Sequence, residues 1–252
     1  MKVYFVGAGP GDPELLTLRA ARLLSCCRIC IYAGSLVSPA VMELVNSSAT
    51  QYDSAGMNLD EIIAVCLKAR EEGTDVVRLH SGDPSIYGAI REQMSALDKE
   101  GIPYEVVSGV SAFQAAAAAL NVELTAPEVA QTVILTRTSG RTALPEEQEL
   151  ARLAATQATL CIFLSGHKVA EVARTLEDPY GGDCPAAVVY HASWPDQKIV
   201  TGTLTDIASR AEAAGIGQTS LIMVGRALGR DIAPSKLYDK AFTHGFRKGD
   251  PA

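Results

Sequence analysis

With 252 residues the chain is long enough for two domains of about 110 to 140 residues each, and 48% hydrophobic against 20% charged residues is an ordinary globular composition. A formal net charge of −7, from 22 basic and 29 acidic residues, argues against a general nucleic-acid binder, which needs a basic face to neutralise phosphates. No apolar run approaches the roughly 18 to 20 residues of a membrane span. The first residues enter a strand without a charged region and cleavage site, so a cytoplasmic protein with no membrane partner is expected.

The opening apolar run Val3 to Val6 reads as a strand that breaks into GAGPGDP. A dinucleotide fingerprint places glycines at relative positions one, three and six. Gly7 and Gly9 meet the first two, but the sixth position is Asp12, which would put negative charge where a phosphate must sit. Pro10 and Pro13 lack the N–H groups an anion-binding loop uses, and no Gly-Lys-Ser/Thr follows. The loop suits a ligand without phosphates at that end, or is a plain strand-to-helix turn.

Further along, Leu16, Ala20, Leu23 and Leu24 recur at helical spacing, and residues 28–34 read as a buried strand. Residues 58–72 form a helix with Ile62, Val65 and Ala69 on one face, closed by Gly73. Residues 75–80 are a strand, and a helix follows with Asp83 as its cap and Pro84 in its first turn. IPYEVVSG is a strand and Val110 to Leu120 a helix. This alternation implies a largely parallel sheet.

The pattern lapses near residues 121–131 and resumes with a strand at 132–137, a polar stretch TSGRTALPEE and a helix from Pro145 to about Thr156. Strands follow at 158–164, 186–191, 197–203 and 219–226, several joined closely enough for antiparallel pairing. We therefore expect one α/β domain over 1–120, a second over 121–240 and a flexible tail over 241–252. The six cysteines, Cys26, Cys27, Cys30, Cys66, Cys161 and Cys184, read as buried free thiols. His80, His167 and His191 are too dispersed for a metal site, and no metal is expected.

In an open α/β sheet, ligands bind beyond the carboxyl ends of the strands. GAGPGDP, YAGSLVSP, HSGDPSIYG and SGVSAFQ all fall there. Each has a plainer explanation: Asp83 and Ser111 as helix caps, Tyr87 as a core aromatic, Arg137 and Arg141 as solvated loop residues. No nucleophile–base or paired-carboxylate arrangement can be assembled from spacing, so no hydrolytic mechanism is indicated.

In combination, VGAGPGDPELLTLRAARLL, SGDPSIYG, SGVSA and TSLIMVGRAL resemble the tetrapyrrole (corrin/porphyrin) methyltransferases, in order from residue 1 to about 230. YAGSLVSP and LNVELTAPEVAQTVILTRTSGRTALPE are similar to the precorrin-4 C11-methyltransferases of cobalamin biosynthesis. Uroporphyrinogen-III methyltransferases carry Asp-Arg after the corresponding tyrosine, whereas Tyr32 here is followed by Ala33 and Gly34. The resemblance implies the tetrapyrrole methylase fold, two α/β domains with a ligand cleft between them, in a protein commonly homodimeric.

It implies S-adenosylmethionine as methyl donor, leaving S-adenosylhomocysteine, with methylation of precorrin-4 or cobalt-precorrin-4 at C11. Pro10, Ser81, Gly82, Asp83, Ile86, Tyr87, Ser111 and Ala112 would line the donor pocket, with Leu164, Ser165, Ala192, Thr219, Ser220 and Leu221 from the second half. Gly34 and Ser35 would lie under the macrocycle, and Arg137 and Arg141 would pair its carboxylates, with His167 and Lys168 as weaker candidates. The residues name no general base. Rival readings are a methyltransferase of the same fold (C17 or C20 corrinoid, uroporphyrinogen-III, diphthine synthase, or the ribosomal RNA enzyme, which the acidic charge disfavours) and a non-catalytic donor-binding protein.

Overall fold

A computed structural model describes residues 1–140, 142–230, 232, 235, 237 and 239–249. Backbone contacts divide the chain into one unit of residues 1–119 with 191–197 and another of residues 120–190 with 198–252.

The first unit is built on β1 (Val3–Gly7), β2 (Ile29–Tyr32), β3 (Thr50–Asp53), β4 (Val76–His80) and β5 (Tyr104–Val107), with helices α1 (Leu18–Cys26), α2 (Pro39–Met42), α3 (Leu59–Glu71), α4 (Ile90–Lys99) and α5 (Ala112–Leu120). The strands run in the order β3-β2-β4-β1-β5, and every pairing is parallel. Apolar residues on both faces of the central strands explain the unbroken hydrophobic runs. On one face Val6, Cys30, Val77 and Leu79 pack with Ala20 and Leu24 of α1 and Val41 of α2. On the other, Val3, Phe5, Ile31 and Val76 pack with Ile62, Cys66 and Ala69 of α3 and Leu97 of α4. Asn58 caps α3 in a reciprocal box with Glu61.

The second unit carries β6 (Val133–Arg137), β7 (Thr159–Phe163), β8 (Pro185–Tyr190), β9 (Lys198–Thr203) and β10 (Ser220–Val224), with α6 (Leu150–Ala154), α7 (Val169–Tyr180) and α8 (Ile207–Ala213). Its order is β6-β7-β10-β8-β9. β6 and β7 pair in parallel and the other pairs are antiparallel. Leu160, Ile162, Val188 and Ile222 pack with Val172 and Leu176 of α7 and Ile207 of α8 in its core. Among the described residues no helix is long and apolar enough to cross a membrane.

Three expectations need correction, and one strand went unread. Asp83 does not cap a helix: α4 begins only at Ile90, because Tyr87 (φ 55°) and Ala89 (φ 48°) turn the chain left-handed first. The helix expected from Pro145 is a 3-10 turn at Glu146–Gln148 followed by α6, separated by an extended Glu149. β3 had no sequence signature, since three of its four residues, Thr50, Gln51 and Asp53, are exposed and no apolar alternation marks it. Five cysteines are buried as expected, but Cys26 at the end of α1 is exposed.

Candidate functional site

Because the first sheet is parallel, the loops after β1, β2, β4 and β5 leave the same edge. Three of them cross in contact. The Ala8 N–H donates to the His80 carbonyl at 2.7 Å, and Gly9 and Gly82 exchange main-chain hydrogen bonds of 3.2 and 2.8 Å. A Cβ added at Gly109 would lie 2.2 Å from the Gly82 carbonyl oxygen and 2.9 Å from the Gly7 Cα, so the close approach requires glycine. The Asp83 carboxylate closes the crossing by accepting the Gly109 N–H at 2.9 Å. It also accepts from the Ser85 hydroxyl and N–H. Partial burial alone would raise its pKa, but these hydrogen bonds outweigh it and hold the carboxyl below the usual carboxylate range.

The 7–13 loop has few local bonds to make, since Pro10 and Pro13 carry no N–H. The Asp12 carboxylate folds back onto the Glu14 N–H at 2.8 Å. Three of its main-chain groups are met by distant side chains. The Pro10 carbonyl accepts from Trp194 Nε1 at 2.7 Å, the Gly11 carbonyl accepts from Ser38 Oγ at 2.5 Å, and the Asp12 N–H donates to Ser193 Oγ at 3.0 Å. These partners carry no periodic or motif signal. The one hint is that the chain's single tryptophan sits in a turn-rich connection, HASWPDQ, where a large aromatic has no core to fill.

A buried polar layer lies beneath this edge. Arg78 donates from Nε to Gln93 Oε1 at 3.0 Å, and Gln93 Nε2 donates to the Ala89 carbonyl at 2.9 Å, tying β4 to the left-handed start of α4. Burial lowers the Arg78 pKa to about 10, which leaves it charged at neutral pH. His80, 4% exposed and 5.9 Å from the Phe5 ring, has no hydrogen-bond partner for Nε2. Burial, and then the Arg78 charge, push its pKa down to about 3, so it is neutral at neutral pH.

The first unit thus gathers Pro10, Gly82 and Asp83, and places Ser111 beside Gly82, since a Cβ there would lie 3.7 Å from the Ser111 Cα and 3.8 Å from the Ala112 nitrogen. Ile86 follows in the turn closed by its N–H to the Asp83 carbonyl, Tyr87 is exposed rather than in the core, and Ser81 is exposed. Gly34 and Ser35 lie in a 3-10 turn after β2. Ala192 is buried in the 191–197 segment.

The second unit gathers Leu164, Ser165, Thr219 and Ser220. Ser165 donates to the Phe163 carbonyl at 2.7 Å and accepts the Thr138 N–H at 3.0 Å, while Ser220 donates to the Gly217 carbonyl at 2.7 Å. The two turns touch at Gly166, where an added Cβ would lie 2.2 Å from Ser220 Oγ. These hydroxyls are engaged in shaping the turns. Leu164 (φ 54°) is exposed and Leu221 is buried in β10. The Arg137 guanidinium donates to the carbonyls of Thr138, Thr142 and Ala143, so it first organises its own loop. Lys168 is engaged by the Ser139 carbonyl and Glu171. Arg141 lies outside the described residues.

A family model for tetrapyrrole (corrin/porphyrin) methylases matches residues 2–208. The chain belongs to this family. Among curated tetrapyrrole methylases, a cobalt-precorrin-4 C(11)-methyltransferase from Methanocaldococcus jannaschii is 53% identical over 98% of this chain and 96% of its own length. A precorrin-4 C(11)-methyltransferase from Pseudomonas aeruginosa is 47% identical over 99% of this chain and all of its own. The X-ray structure of a cobalt precorrin-4 methyltransferase, described as a cobalamin biosynthetic enzyme, superposes with a TM-score of 0.88 at 43% identity, covering 91% of this chain and 96% of that one. The fold is that of a tetrapyrrole methylase.

The methyl donor of the family is S-adenosylmethionine. The residues present fit it. The 7–13 loop offers no row of N–H groups to a phosphate, a group this donor lacks, since Pro10 and Pro13 carry none and the Asp12 N–H is taken by Ser193.

Proposed function

We propose that this methylase transfers the methyl group of S-adenosylmethionine to C11 of precorrin-4, with or without cobalt, in cobalamin biosynthesis. The observation that carries this reading is near-full-length identity of 45–53% to relatives named for that reaction, both cobalt and metal-free. S-Adenosylmethionine supplies an electrophilic methyl on a sulfonium. The chain's own task is positioning, since in-line displacement at a methyl gains most from holding the nucleophile in place. Within the first unit, Pro10, Ser81, Gly82, Asp83, Ile86, Tyr87, Ser111, Ala112 and Ala192 are the residues assigned to the donor.

Gly34 and Ser35 meet the macrocycle. Arg137 and Arg141 are the residues assigned to its carboxylates. The reading extends to a homodimer in the cytoplasm, checked by sedimentation of the purified protein and fractionation of producing cells.

The test is incubation of purified protein with S-adenosylmethionine labelled with carbon-13 at the methyl and precorrin-4, with and without cobalt, followed by mass and carbon spectra of the product. A single labelled methyl at C11 is expected, and the faster arm identifies the metal state of the substrate. Donor binding with no transfer to either form would overturn the substrate assignment. An Arg141→Glu variant should lose macrocycle binding and keep donor binding.

A further inference from the structure

The segment His191–Gln197 joins β8 to β9 yet belongs to the first unit. It is braced internally to an extent that a simple connection does not need. The Trp194 N–H bonds the His191 carbonyl at 2.9 Å, the Gln197 N–H bonds the Trp194 carbonyl at 3.1 Å, and the Ser193 N–H bonds Gln197 Oε1 at 2.7 Å. The His191 ring stacks on the indole with centroids 4.5 Å apart, and its Nδ1 meets Asp196 at 3.0 Å. His191 (φ 46°) and Ser193 (φ 70°) hold left-handed backbone without being glycine, a strain that persists only where the surroundings enforce it.

What this bracing presents is the indole. Its Nε1–H reaches the Pro10 carbonyl, and its ring lies so close over Gly11 that an added Cβ would sit 2.1 Å from Cδ1. The neighbouring Ser193 hydroxyl takes the Asp12 N–H. Two consecutive side chains therefore satisfy two of the main-chain groups that the proline-interrupted loop cannot satisfy locally.

We propose that His191–Gln197 is a latch on the 7–13 loop, with Trp194 as a positioning residue that fixes the Pro10 peptide for donor binding. The proposal rests on the reading that this loop carries the methyl donor. It assigns Trp194 no contact with the reacting atoms: removing its N–H loosens the loop, weakens the donor and leaves turnover at saturating donor nearly unchanged.

The test measures the affinity of S-adenosylhomocysteine by calorimetry, and KM for S-adenosylmethionine and kcat with precorrin-4, for Trp194→Phe, Trp194→Ala, Gly11→Ala, the Gly11→Ala/Trp194→Ala double variant and Asp83→Ala. Melting temperatures confirm folding. Trp194→Phe keeps the ring and loses one hydrogen bond, so an increase of about three- to tenfold in donor Kd and KM with kcat within twofold is expected. Gly11→Ala alone should weaken the donor at least as much, since the methyl meets the indole and Gly11 holds φ +155°, and the double variant should lose less than the sum of the two single losses, because removing the indole relieves the collision but not the backbone strain.

Additive losses in the double variant, or unchanged donor binding in Trp194→Phe and Trp194→Ala while Asp83→Ala weakens it, would overturn the latch alone. Unchanged donor binding in Asp83→Ala would overturn the donor-site reading, and the latch with it.

Discussion

Asp83 accepts the main-chain N–H of Gly109 across the loop crossing, joining the end of β4 to the end of β5 through one carboxylate. A hydrogen bond to a charged group contributes about 1.5–3 kcal/mol. Asp83→Ala is therefore expected to weaken S-adenosylhomocysteine binding by at least about tenfold while the melting temperature falls by only a few degrees. The sign with pH follows from its lowered pKa. The stabilising contribution is present above the ordinary carboxylate pKa and is lost as pH falls through the lower folded value. Donor affinity and melting temperature measured against pH for wild type and variant check both points.

Gly109→Ala tests the crossing itself. The new methyl would meet the Gly82 carbonyl oxygen at 2.2 Å, and neither partner is a flexible side-chain end that can move aside. A loss of about 1–3 kcal/mol in urea unfolding is expected, with donor affinity falling further than stability. A variant as stable and as tight as wild type would mean that the three loops separate easily.

His80 should leave a signature in acid. Its unfolded value lies near 6.5 and its folded value at about 3, so the unfolded chain binds the extra proton between those limits. Stability from this residue is complete above about pH 6.5 and declines as pH falls toward 3, by at most about 1.4 kcal/mol per pH unit. His80→Leu should flatten that limb of the stability curve. Parallel curves for the two proteins would show that His80 takes up its proton without unfolding.

The thiols offer a count. Cys27, Cys30, Cys66, Cys161 and Cys184 are buried and Cys26 is exposed. Burial alone raises Cys161 to about 12, and burial is the leading cause that raises Cys66 and Cys184 to about 11, which suppresses thiolate further. Native protein should react rapidly with a thiol reagent at Cys26 only, and all six should react in denaturant. Rapid native labelling at a second position, located by peptide mapping, would reveal local opening there.

The first sheet was legible because its strands carry apolar residues on both faces and its loops carry glycines at strand ends. Both signals are local in sequence. β3 was not, because a short edge strand such as TQYD buries little and so needs no apolar pattern. Asp83-Pro84 has the sequence of a helix start, and only the left-handed residues at 87 and 89 reveal that the chain turns first. The family loops could be listed from the sequence, but not the groups that complete them. Ser38, Ser193 and Trp194 meet Gly11, Asp12 and Pro10 from far along the chain, and hydrogen bonds of that separation leave no periodicity to read. Arg137 looked available for a ligand, whereas its guanidinium is engaged by three carbonyls of its own loop.

The crossing of the Gly7, Gly82 and Gly109 loops is built from peptide groups, and that bears on escape from inhibition. A compound that packs against those peptide groups depends little on side-chain identity, since most replacements nearby leave the backbone where it is. At the glycines themselves, replacement collides with a neighbouring strand end and damages the protein together with the compound's binding surface. Resistance by single substitution should therefore arise mainly away from this edge, where binding depends on side chains that can change without cost to the fold.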